Sequence, residues 1–117
     1  MSKKQALRNL FGQYDLRGFW KANEFLLPPD KALMFALDLG EIGVGIQVVS
    51  TWIEGISVDG EIGYREDLAN ELVISEEIDA QDDAVAQSVS MAVDFIDHLP
   101  LITDYVSFTL SVPPSWY

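Results

Sequence analysis

The stretch REDLANELVISEEIDAQDD, residues 65–83, holds one cation, Arg65, and eight carboxylates: Glu66, Asp67, Glu71, Glu76, Glu77, Asp79, Asp82 and Asp83. Carboxylates at this density can cap helices and hydrate a surface, hold a metal or act as an acid/base pair, or present negative charge to a cationic partner. A calcium loop needs the D-x-D-x-D-G spacing and a glutamate at its twelfth position, which Asp79, Asp82 and Asp83 do not supply. A second group, Asp94, Asp97 and His98, falls at i, i+3 and i+4 of a helical pattern and so projects from one side. Zinc sites draw on three or four converging ligands, and the chain has no second histidine. His98 before Pro100 reads instead as a cation favoured by a helix C-terminus, with Asp94 and Asp97 on a solvated face.

Other chemistries find no footing. Cysteine is absent, so there is no disulfide framework, thiolate site or cysteine nucleophile. Neither G-x-S-x-G nor S-x-x-K occurs. With 19 acids in the chain, carboxylate pairs arise by chance and do not mark a glycosidase. Gly40, Gly43 and Gly45 are out of order for a dinucleotide loop, and Glu41 would repel a phosphate. The expectation is a protein without catalytic residues, metal or cofactor.

The charge is distributed unevenly. Residues 1–31 carry six of the seven cations against three acids, and residues 32–117 carry sixteen acids against Arg65 alone, for a total of −12. The body should repel nucleic acid and anionic membrane and attract basic proteins, leaving Lys3, Lys4 and Arg8 as a solvated helix face. Hydrophobic content of 49% excludes disorder and makes the acidity a property of a folded surface. The N-terminus has no apolar run for a signal peptide, and no uncharged stretch reaches the roughly 18 residues that span a bilayer, the 12-residue run Ile42–Ile53 included, so a cytoplasmic location is expected.

Helix capping by Asp79 and dipole complementation by Glu76, Glu77, Asp82 and Asp83 account for part of the acidic stretch. They do not account for the missing cations, because a single-sign surface repels itself. Carboxylates three or four residues apart on a helix lie about 5–6 Å from one another, near enough to stand for successive phosphates. Glu76, Asp79 and Asp83 have that spacing. In size, charge and folded apolar content the chain resembles the small bacterial and phage DNA-mimic proteins, including those that occupy the DNA-binding surface of the nucleoid protein HU. It equally resembles an immunity protein or antitoxin that plugs a basic nuclease. The DNA-mimic resemblance implies a basic DNA-binding partner such as HU, a repressor or a nuclease; it shares no motif that would assign residues, and the charge pattern itself offers Glu66, Asp67, Glu71, Glu76, Glu77, Asp79, Asp82 and Asp83 as phosphate surrogates, with Asp94, Asp97 and Asp104 as secondary candidates. No direct nucleic-acid or membrane binding is implied, and the chain would act as monomer or homodimer. A phage or cellular structural component is a further alternative.

These residues need a scaffold, read here as one acidic α+β domain over residues 1–117. The expected scaffold is a mostly antiparallel sheet with N-terminal helices and one long amphipathic helix packed on one face. Residues 2–14 follow a helical period behind a Ser2 cap, and Leu16–Leu27 continue as a second helix that Pro28 and Pro29 stop. Leu33, Phe35, Leu37 and Leu39 alternate as a strand, although a cap at Asp30 makes a short helix an alternative. Gly40–Gly43 form a turn, and strands follow over Val44–Val48 and Trp52–Val58. A three-residue connection at Asp59-Gly60 pairs Val58 with Ile62 and Ile56 with Tyr64. Residues 66–75 form either a helical turn or a strand. Val85, Val89, Ala92, Ile96 and Leu99 mark a helix over 80–98, and Val106–Val112 alternate as a final strand.

Overall fold

The first helix forms where the sequence places it. Ser2 accepts a hydrogen bond from the Gln5 amide at 3.1 Å and caps helix α1, Lys3–Tyr14, whose Leu7, Leu10 and Tyr14 are buried. The computed structural model describes residues 1–56, 60, 62–75 and 82–117.

Beyond α1 the expected second helix is replaced by a β-hairpin. Strand β1, Phe19–Lys21, pairs with β2, Glu24–Leu26, matching Phe19 with Leu26, Trp20 with Phe25 and Lys21 with Glu24. Aromatic side chains suit a pleated surface, and Ala22-Asn23 makes a two-residue connection. Ala22 adopts φ 54°, a conformation that ordinarily selects glycine. Replacing Ala22 with glycine should therefore stabilise the protein by about 0.5–1 kcal/mol in denaturant melts.

Pro28 and Pro29 do not stop a helix; they start one. Pro28 is the N-cap and Pro29 the first residue of α2, Pro29–Glu41, where a missing amide hydrogen costs nothing. Its buried residues, Ala32, Phe35, Ala36 and Leu39, recur at i, i+3, i+4 and i+7, so the strand-like alternation over 33–39 is overruled. Gly40 belongs to the helix, and the turn that follows uses Gly43 at φ 78°.

The longest strand, β3 (Ile46–Ile56), is the spine of the sheet. Along one edge it pairs antiparallel with β6, Tyr105–Leu110; along the other it pairs first with β5, Leu72–Val73, and then with β4, Ile62–Glu66. A 3-10 turn, Leu68–Asn70, separates β4 from β5, so residues 66–75 hold both alternatives in succession. The register of β3 on β4 matches Ile56 with Ile62 and Glu54 with Tyr64 rather than Ile56 with Tyr64. The two registers differ by two residues, which keeps every side chain on the same face, so hydrophobic alternation cannot choose between them. Val58 and Asp59 lie outside the described residues. Helix α3, Asp82–Asp97, buries Val85, Val89, Ala92 and Ile96, with Leu99 packed beside them.

The architecture is α+β, with every described strand pair antiparallel. Leu27 and Val106 exchange backbone hydrogen bonds at 2.9 and 2.8 Å, which joins the hairpin to the free edge of β6 and gives the order β1, β2, β6, β3, then β5 and β4. The core lies between the helices and the face bearing Leu27, Ile46, Val49, Val106 and Leu110. The other face carries Phe19, Lys21, Glu24, Trp52, Tyr64, Tyr105 and Ser107. Flat pairing would hold β1 and β4 roughly 19 Å apart. Yet the Phe19 and Tyr64 rings approach to 5.2 Å, and both touch Tyr105. The sheet therefore curls, with this second face on the inside of the curve. Among the described residues no helix is long and apolar enough to cross a membrane.

Candidate partner-binding surfaces

The acidic stretch splits between elements. Glu66 ends β4 opposite Trp52, on the inner face of the curved sheet. Asp67 turns toward its own backbone: it caps the 3-10 turn, one oxygen accepting from the Ala69 amide at 3.3 Å and the other from the Asn70 side chain at 2.7 Å. Glu71 is exposed between that turn and β5, and Asp83 is exposed in the first turn of α3. Asp82 opens α3. Glu76, Glu77 and Asp79 lie outside the described residues, and with them the i, i+3, i+7 row set by Glu76, Asp79 and Asp83.

The secondary candidates separate as well. Asp104 accepts the Glu54 amide at 2.7 Å and fastens the end of β6 to β3. Asp94 and Asp97 are exposed in the last turn of α3, on the helical layer and away from the sheet face. His98 holds that helix end through its Nδ1, 2.8 Å from the Asp94 carbonyl oxygen. The Asp94 carbonyl contact first and the Asp94 carboxylate second raise the His98 pKa above its usual range. This is a histidine at a helix C-terminus, and among the described residues no three metal-binding side chains converge.

Two carboxylates not singled out in the sequence stand out in the fold. Asp38 accepts the Tyr14 phenol at 2.7 Å, and burial together with that bond pushes the phenol up to about 12. Glu24 is half-buried on the inner sheet face. Trp52 donates its indole hydrogen to Ser107 Oγ at 2.9 Å, and Ser107 donates to Glu24 Oε1 at 3.3 Å. Lys21 sits over the Trp52 ring, 5.8 Å from its centroid. Burial foremost, and then the charge of Glu66, raise the Glu24 pKa, against the Ser107 hydrogen bond that lowers it. An acid raised in the folded state binds its proton more tightly there than in the unfolded chain, so its ionisation opposes folding at neutral pH. Glu24→Gln should thus raise the melting temperature at pH 7. The gain should shrink as pH falls through the raised folded-state value and vanish below about 4, where both states are protonated. A set of thermal melts across that range checks it.

What the described carboxylates share is the lack of a fixed cation. The only basic group within ion-pairing distance of any described carboxylate is His98, 3.6 Å from Asp94. Among the described residues, the lysines and arginines of residues 1–31 make no ion pair with the acidic body. Carboxylates also occupy the C-terminal ends of both α2 (Asp38, Glu41) and α3 (Asp94, Asp97), with no lysine or arginine in either last turn. A helix carries its negative half-charge there, so the placement works against the helices by up to about 1 kcal/mol per exposed group. This signal was present in the sequence, in KALMFALDLGE and AVDFID, once the helix boundaries are known. No family model, curated protein or solved structure matches the chain, so its own residues supply the functional reading.

Proposed function

We propose that this protein is a non-enzymatic, acidic, cytoplasmic binding protein that acts as one domain and blocks the basic DNA-binding surface of a partner, in the manner of a DNA mimic. The observation that carries the reading is the unneutralised charge: described carboxylates without lysine or arginine partners, on a chain of net charge −12. A folded protein gains nothing in stability from such self-repulsion, whereas a partner that supplies the missing cations relieves it. The surrogate phosphates are Glu66, Glu71, Glu76, Glu77, Asp79, Asp82 and Asp83, with Asp94 and Asp97 on the helical layer. Asp67 and Asp104, whose oxygens serve local backbone, contribute field more than direct contact.

The test is the affinity for an HU-type nucleoid protein measured against salt. Binding should weaken at least tenfold between low and moderate ionic strength, and duplex DNA should compete. Neutralising Glu76, Glu77, Asp79, Asp82 and Asp83 together should weaken binding while the melting temperature holds or rises. A complex indifferent to salt and to DNA would refute mimicry.

A second reading, an immunity protein for a basic nuclease, draws on a different observation. Phe19, Tyr64 and Tyr105 form a ring cluster on the inner sheet face beside Glu54 and Glu66, a mixed aromatic and acidic surface of the kind that anchors a single cognate partner. Such a complex would survive salt and fail on substitution of Tyr64 or Tyr105.

A further inference from the structure

We propose that the groove between α2 and α3 receives a cationic amphipathic helix of the basic partner; the inference rests on the binding function above and names where that partner engages. The groove is an open depression of about 760 Å³. Its floor forms where the two helices meet most closely: a Cβ on Gly40 would stand 3.3 and 3.4 Å from the two Val89 methyl groups. Ala86, Val89 and Val93 on α3 and Leu37 on α2 make the floor and one wall apolar. Leu37 is 48% exposed, and Met34, one turn earlier on α2, is 50% exposed. A row of half-covered apolar side chains between two helices is the shape into which the apolar stripe of a third helix fits.

The charge of the rim selects the occupant. Glu41, Asp94 and Asp97 border the groove, in the last turns of the two helices. Each carboxylate stands at the negative end of its own helix, and His98 beside Asp94 and Lys3 beside Gly43 are basic groups that the chain places near these ends. Lysine or arginine on the flanks of an apolar stripe would meet these carboxylates and complement the dipole at each helix end. A second copy of this chain would bring like charges face to face, and an anionic lipid surface would be repelled. The occupant that satisfies floor and rim together is a helix with leucine-like anchors and basic flanks.

The probe is a fluorescein-labelled amphipathic peptide of leucine and lysine, read by anisotropy against the full chain. Leu37→Asn and Ala86→Trp both alter exposed groove positions that the core does not use, and circular dichroism verifies that each variant is folded. Each should lower peptide affinity by about tenfold or more, while Asp15→Asn, at an exposed carboxylate that ends α1 outside the groove, should leave it within about twofold of the parent. Unchanged affinity in both groove variants, or equal binding by a peptide of the same composition in scrambled order, overturns the proposal. An HU-type protein run in parallel separates the two ideas. Peptide binding that depends on the groove, with no DNA-sensitive binding of the HU-type protein, keeps the groove and removes mimicry. DNA-sensitive binding that ignores both groove variants keeps mimicry and removes the groove.

Discussion

Phe35→Ala should cost about 3–5 kcal/mol and lower the melting temperature by on the order of 10–30 °C. Phe35 is 1% exposed, and its ring meets four others: Tyr14 at 5.1 Å, Phe11 at 5.3 Å, Phe108 at 5.9 Å and Phe25 at 6.3 Å between centroids. Those partners come from α1, the hairpin and β6, so one side chain of α2 joins the helical layer to both parts of the sheet. Truncation removes the transfer energy of the ring and leaves a void that rigid aromatic neighbours close only in part. Typical domain stability is about 5–15 kcal/mol, so the variant would sit near the edge of folding at 37 °C. Urea titration with tryptophan fluorescence measures the loss. A shift of a degree or two would mean that the aromatic cluster is peripheral to the core.

Gly18→Ala is the second large effect, about 1–3 kcal/mol or somewhat more, and it acts through space rather than backbone angle. A Cβ at this position would run into the carbonyl oxygen of Leu26 and come within 2.8 Å of Leu27 Cδ2. The oxygen belongs to the backbone of β2 and cannot swing aside. The hairpin must then shift against the chain that enters it, and Lys21 and Glu24 move with it. Besides a lower melting temperature, the variant should return the Glu24 titration, followed by NMR, toward the ordinary glutamate range. A destabilised variant in which Glu24 still titrates high would separate the hairpin from the burial of that acid.

How much was legible depended on whether the signal was local. The Ser2 cap and the buried stripe of α3 are short-range patterns, and both helices form where the pattern lies. The hairpin was not legible because Ala22 takes a left-handed angle without the glycine or Asn-Gly pair that announces such turns. Phe19, Trp20, Phe25 and Leu26 then fit a helical period equally well. In α2 the exposed Met34 and Leu37 thicken the apolar pattern until two periods match, and the Pro28-Pro29 pair can end one helix or begin another. The candidate surface followed the same rule. Composition revealed the unbalanced acids, but not that Asp67 and Asp104 would be held by nearby amides. Nor could it show that Glu24, in the cation-rich N-terminal part, would be raised by burial and by Glu66, more than forty residues away. Contacts of that separation are written in the fold, not in spacing.

The interrupted row along β3, a two-residue β5 and a separate β4 with a turn wedged between them, matters for what else the molecule can join. An unbroken outer strand offers a ladder of free amides and carbonyls on which a foreign strand can zip up, the usual route to swapped dimers and fibrils. Here the described margins are short pieces, three residues at β1, two at β5 and five at β4, with Lys21 on the first and Arg65 on the last. Main-chain templating is thereby discouraged. A partner that docks along these described margins is then recognised mainly through side chains, and like-charged copies find little backbone to pair on.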